Sequence, residues 1–275
     1  MFTLNHFIWL AVCLLVGVIS AAYLRKYRPS LRTVLSIACV WCIISEVIKT
    51  FSVLKMVPSA DGSSMHLILE MQHLPLHLCS IQIIFIFMAR FAHNKKTVET
   101  ILAFMYPTCT LGALFALALP SIFSSSIKVS QAFTHPLAYQ FFLFHTMLVI
   151  LGTYIALSGE VDIRPRHYFS TLGILAGLAF LSLYLNSIFA ETTYVNGELV
   201  SVDYSPNFFF TQDTPIGIEL YEKWQWYLYM AIIVALAVVL IGLFYLPFFI
   251  KAAKLKKNEK NFKDAHKAEN GNMSV

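Results

Sequence analysis

The chain has 275 residues, of which 58% are hydrophobic and only 13% charged, with a mean hydropathy of +0.68. A soluble domain of this length carries far more polar surface, so a soluble globular fold is excluded and an all-α, polytopic membrane bundle is expected. The net charge of +5 does not point to nucleic acid, because the surplus lies in residues 251–275 and in short connecting loops.

A hydrocarbon core roughly 30 Å thick takes about 20 apolar residues per helix. Such stretches fall at 7–24, 33–57, 76–92, 98–122, 136–157, 167–190 and 227–250, which predicts seven transmembrane helices. The first is not read as a cleaved signal, since no basic residue precedes it and Arg25, Lys26 and Arg28 follow it. Basic residues also gather after the third span (Lys95, Lys96), the fifth (Arg164, Arg166) and the seventh (Lys251 to Lys267). The alternate loops hold little positive charge. The positive-inside rule then puts the N-terminus outside and the C-terminus in the cytoplasm of a multi-pass cell-membrane protein.

Residues 191–226 read as an extracellular loop or lid. They are acidic, carry a hairpin-turn signal at Val195-Asn196-Gly197-Glu198, and present Asn207-Phe208-Phe209-Phe210 as an exposed hydrophobic patch. Trp224, Trp226, Tyr227 and Tyr229 form an interfacial aromatic belt. Residues 251–275 read as a disordered basic tail facing anionic lipid. No internal repeat is visible, which weighs against a secondary transporter.

Polar groups inside a membrane are costly and therefore functional candidates. Glu46 and Lys49 share one helical face of the second span, either as a packing ion pair or with Glu46 orienting a histidine on a neighbouring helix. Cys39 and Cys42 form a C-x-x-C, read as packing cysteines. The five cysteines all lie in apolar runs, so no disulfide framework is expected. In His73-Leu74-Pro75-Leu76-His77-Leu78-Cys79, Pro75 suits the first position of a helix. That places Cys79 near the helix N-terminus, where partial positive charge favours a thiolate. His77 cannot serve as its base, because two positions apart on a helix points the side chains to nearly opposite sides. The base must come from another span, and His145 is the only histidine deep inside one. It lies about 14 Å down its span, against about 6 Å for Cys79, at about 1.5 Å per residue. His66, His73, His77 and His135 fall near the same face, which leaves a zinc-dependent hydrolase as a rival.

The run Leu74-Pro75-Leu76-His77-Leu78-Cys79-Ser80 resembles the signature of YwaF-type bacterial integral membrane proteins. Further matches are Tyr106-Pro107, Gly112-Ala113 and Pro120, then His145, Asn186, Pro215 and Trp224-Gln225-Trp226-Tyr227. Asn207-Phe208-Phe209 stands where relatives tend to carry Asn-Tyr-Met. That group is similar to a eukaryotic transmembrane acyltransferase family acting on ether lysophosphatidylethanolamine, in which the matching cysteine carries the acyl chain. It is more distantly similar to the androgen-induced hydrolases of fatty-acid esters. The resemblance implies that Cys79 is a nucleophile and that His145, two helices on, is its partner.

The leading reading is acyl transfer or hydrolysis on lipid esters, with Cys79 as nucleophile and His145 as general base. His77, Gln82 or Asn186 would donate to the oxyanion, Glu46 would orient the imidazole, and the loop around Asn207 would gate lipid entry. The partners are a phospholipid or lysolipid and the bilayer; no cofactor and no metal are expected. The alternative is a transporter or lipid- or solute-binding protein that uses Glu46 and Lys49.

Overall fold

The computed structural model describes residues 3–59, 61–120, 122–195, 198–203, 206–212, 214 and 218–272. Seven long helices follow in order: α1 (Leu4–Tyr27), α2 (Leu31–Val53), α3 (Leu78–Phe91), α4 (Lys95–Ala118), α5 (Pro136–Leu157), α6 (Pro165–Phe189) and α7 (Lys223–Asn272). Short polar residues start several of them. Ser30 Oγ accepts from the Thr33 N–H at 3.2 Å, and Asn94 Oδ1 accepts from the Lys96 N–H at 3.0 Å. Pro136 and Pro165 open α5 and α6 at the position where a missing N–H costs nothing.

Six of the seven helices are long and apolar enough to cross a membrane, and the protein is a multi-pass membrane protein. The exception is α3, expected to span 76–92. It has 14 residues, and at about 1.5 Å per residue its length of about 21 Å falls short of the hydrocarbon thickness. The second span was expected to reach residue 57 but ends at Val53. Lys55–Pro58 instead pairs antiparallel with Met65–Ile68 as a hairpin, β1 and β2. In the loop expected to hold a hairpin, β3 (Glu191–Val195) pairs with β4 (Glu198–Asp203), while the turn residues Asn196 and Gly197 lie outside the described residues. The seventh helix continues through the basic stretch to Asn272, where composition alone suggested an unstructured tail.

Helices α2, α3, α4 and α5 form a ring in which each packs on the next: α2 on α3, α3 on α4, α4 on α5, and α5 back on α2. The helix α1 lies outside on α5, and α6 and α7 lie outside on α4. In the apolar window of α4, 61% of residues are buried, against 11% in α1, α6 and α7, so α4 is the central post. The outer helices present Leu, Ile, Val and Phe to the surroundings, as a lipid-facing surface must.

Two local features fix the packing around α4. A Cβ on Gly152 would strike Thr110 Oγ1 and come within 3.0 Å of both the Thr110 nitrogen and the Tyr106 carbonyl oxygen, so glycine there lets α5 close on α4. Pro107, inside α4, has no N–H to offer the carbonyl of Ala103 one turn back. That carbonyl instead accepts from the Tyr245 hydroxyl of α7 at 2.8 Å. The same hydroxyl lies 2.9 Å from Thr171 Oγ1 of α6. One buried phenol thus ties three helices together at the point where the proline opens the ladder.

Candidate functional site

The approach to α3 is a short 3-10 turn (Met71–His73) followed by a tight bend in which the Leu76 N–H reaches the Leu74 carbonyl at 2.8 Å. This bend takes up Pro75, so the helix opens later than expected, at Leu78, with His77 as its N-cap residue. The His77 side chain makes no capping bond, and the first backbone bond of the helix runs from the Ile81 N–H to the His77 carbonyl at 2.8 Å. The N–H groups of Leu78, Cys79 and Ser80 therefore have no acceptor among the described residues. Cys79 sits in the first turn, beside these free donors.

Cys79 is half-buried as a residue, and its sulfur makes no hydrogen bond among the described residues. It lies only 3.3 Å from where a Cβ on Gly112 of α4 would stand, so the bare glycine makes room for the sulfur. One turn further on, Gln82 is fully buried: its Nε2 donates to Thr108 Oγ1 at 3.1 Å and its Oε1 accepts from the Cys109 thiol at 3.3 Å. Gln82 thus zips α3 to α4, with one of its two Nε2 hydrogens and its Oε1 engaged between the helices. The backbone N–H groups beside Cys79 carry no side-chain signature and were not legible in the sequence as donors.

His145 lies on α5, its ring packed between Phe141 at 4.4 Å and Phe144 at 5.6 Å. Its Nδ1 is 2.7 Å from the Phe141 carbonyl oxygen. A carbonyl can only accept, so Nδ1 carries the hydrogen and the neutral ring keeps its lone pair on Nε2. That is the tautomer a general base needs. Among the described residues no hydrogen bond links His145 to Cys79. None links it to Glu46 either. Glu46 Oε1 instead holds Lys49 Nζ at 2.5 Å within one turn of α2. Cys39 and Cys42 are free and buried in the main apolar core, as packing cysteines are.

In the segment after β4, Phe210 is exposed as expected, but Phe208 is not. Phe208 is fully buried, and its ring meets His77 edge-on at 5.0 Å. Asn186 of α6 holds it there: Oδ1 accepts from the Phe208 N–H at 2.9 Å, and Nδ2 lies 3.1 Å from the Phe208 carbonyl and 2.9 Å from Thr211 Oγ1. Asn186 thus anchors this segment to α6. Trp226 Nε1 donates to the Thr211 carbonyl at 2.9 Å and the Tyr229 hydroxyl to the Phe210 carbonyl at 2.6 Å. These two aromatics turn inward, while Trp224 and Tyr227 stay exposed as belt residues. Asn207 Oδ1 accepts from the Gln212 N–H at 3.1 Å and closes the loop on itself. Phe209 and Phe210 hold positive φ (57° and 52°), strain that these tethers impose on non-glycine residues.

The histidines of the zinc alternative do not converge. His135 caps α5 by accepting from the Leu137 N–H, His66 lies exposed on β2, and no three metal-binding side chains gather among the described residues. His73, beside Glu70 at 3.6 Å, is held below the ordinary imidazole range chiefly by burial, with Glu70 pulling the other way and Lys49 and Lys55 adding to the depression.

The TMEM164 family model matches residues 1–245, which take in six of the seven helices whole and α7 as far as Tyr245. No curated protein and no solved structure matches the chain.

Proposed function

Taking as premise that the chain belongs to the TMEM164 family, a family of membrane proteins, we propose that it is a membrane-embedded acyl-transfer enzyme acting on lipid esters through Cys79. The observation that carries this reading is the thiol in the first turn of α3 beside three backbone N–H groups without acceptors. A nucleophile and an oxyanion cradle then come from one helix start. The likeness of the Leu74–Ser80 run to the ether-phospholipid acyltransferases supports the same assignment.

In this mechanism the Cys79 thiol gives its proton to His145 Nε2 and the sulfur attacks the ester carbonyl carbon. The Cys79 and Ser80 N–H groups hold the oxyanion. The ester C–O bond breaks, the leaving alkoxide takes the proton back from His145, and the acyl group remains as a thioester. A lysolipid hydroxyl or water then attacks the thioester, with His145 accepting its proton and returning it to the sulfur. Catalysis requires His145 and Cys79, both on the four-helix ring, to draw together on substrate binding, since apo geometry is commonly looser than the reacting complex. The Phe208 loop closes the site over His77. The basic ends of the helices face the cytoplasm, which puts Cys79 toward the outer leaflet.

The test is labelling with a thiol-reactive acyl probe in the full chain. Label is expected on the wild type and on Cys109→Ser, but lost in Cys79→Ser, with slower labelling in His145→Ala. Undiminished labelling in Cys79→Ser would overturn the assignment. Loss of cellular function in Glu46→Gln with labelling intact would favour transport instead.

A further inference from the structure

Away from Cys79, at the opposite end of the bundle, α2 carries a groove of about 340 Å³ on its outer face, lined by Ser36, Ile37, Val40, Trp41 and Ile44. Positions 37, 40, 41 and 44 form one stripe at helical spacing. The opposite stripe (Leu31, Leu35, Ala38, Cys42, Ser45) is buried in the ring, so the groove looks into the lipid. Its walls are apolar except at the Trp41 indole N–H, which is buried without a partner among the described residues, and at Ser36. There Arg90, in the last turn of α3, donates from Nε to Ser36 Oγ at 2.6 Å. The guanidinium also lies 5.1 Å from the Phe91 ring. The terminal nitrogens of Arg90 have no carboxylate and no other acceptor among the described residues. Arg32, one turn before Ser36 on α2, is exposed and likewise without a carboxylate.

An apolar trough ending at two uncompensated guanidinium groups matches the outline of one lipid: an acyl chain along Ile37, Val40 and Ile44, and a phosphate at Arg90 and Arg32. A cation with free planar donors at the membrane boundary is costly to leave unpaired, and phosphate oxygens suit its fork geometry. We propose that this groove is a binding site for one anionic phospholipid, separate from the acyl-transfer site and independent of that reading. The lipid braces α2 against α3, because the Ser36–Arg90 bond it surrounds joins those two helices.

The test is native mass spectrometry of the full chain released from vesicles of phosphatidylcholine alone or with phosphatidylglycerol, together with a thermal-unfolding curve in each. One retained phosphatidylglycerol and a raised Tm are expected for the wild type. Arg90→Gln should bind roughly tenfold more weakly, as expected for one cation at the lipid surface with charge-assisted bonds. Val40→Trp, which fills the trough but leaves both arginines, should lose the adduct, and Arg90→Lys should keep part of it. Replacing Lys254, Lys256 and Lys257 by Gln should leave the adduct in place. Added inorganic phosphate in phosphatidylcholine should give no stabilisation. Equal retention by Arg90→Gln and wild type, loss of the adduct in the lysine variant, or retention of phosphatidylcholine to the same extent would each overturn the site.

Discussion

Asn186→Ala separates anchoring from chemistry. The side chain is fully buried and makes three bonds to the 207–212 loop, at 2.9, 3.1 and 2.9 Å. The Phe208 N–H keeps a second acceptor, the Pro206 carbonyl at 2.9 Å, so the full cost of an orphaned donor does not fall on it. At about 1 kcal/mol net per bond, the docked loop loses about 2–3 kcal/mol. That multiplies the undocked population by about 30- to 150-fold, at about 1.4 kcal/mol per tenfold. The Trp226 and Tyr229 bonds and the buried Phe208 ring remain, so the loop loosens without the bundle unfolding. Amide exchange followed by mass spectrometry in lipid nanodiscs is the assay. Peptides covering 206–212 should exchange about two orders of magnitude faster, and the 72–78 peptide should follow because Phe208 rests on His77. The central helix α4 should not change. Unchanged exchange at 206–212, or a uniform rise over all helices, would refute the anchoring role.

Other consequences are equally direct. Gly152→Ala should lower Tm by an overpacking cost of about 1–3 kcal/mol, because the added methyl meets backbone atoms that cannot rotate away. Gly177→Ala, with nothing within 4 Å, should hold or slightly raise Tm in the same thermal assay, since alanine is the better helix former. Tyr245→Phe should destabilise by about 1–2 kcal/mol by stranding the Ala103 carbonyl. In a Pro107→Ala background, where residue 107 regains an N–H for that carbonyl, the cost should shrink, and a double-mutant cycle reads the difference. On the β1–β2 hairpin, the Ser59 and Ser63 hydroxyls and the Ser63 N–H hold the Asp61 carboxyl down to about 2 from its ordinary 3.8. A depressed acid stabilises the fold fully above its unfolded value and loses that contribution as pH falls through the folded one. Exchange protection at 55–68 should thus hold down to about pH 4 and fade toward pH 2; protection independent of pH in that window would contradict it.

The long helices were legible because hydropathy over about 20 residues is a strong signal. Their local stops were not. The second span reads through Val57 as apolar, but strand pairing with Met65–Ile68 takes Lys55–Pro58 out of the helix. Pro75 is a good helix opener in isolation, yet the Leu74–Leu76 bend claims it and the helix starts three residues later. Phe208 read as exposed because its burial depends on Asn186, 22 residues away, which no local pattern records. Gln82 and Asn186 were read as oxyanion donors, and polarity alone does not say whether the partner is a substrate or another helix; the structure pairs Gln82 with α4 and Asn186 with the 207–212 segment. The Tyr245 clamp did leave a signal: a proline inside a membrane helix frees a carbonyl that something must satisfy.

The central claim is that the Cys79 sulfur carries an acyl group. Intact-mass analysis of the purified full chain after incubation with a membrane lipid extract tests it directly. The expected result is an added mass equal to a fatty acyl group, removed by neutral hydroxylamine, mapped by peptide sequencing to Cys79, and absent in Cys79→Ser. An unmodified Cys79 after incubation with intact lipid, or an adduct that persists in Cys79→Ser, would contradict the account.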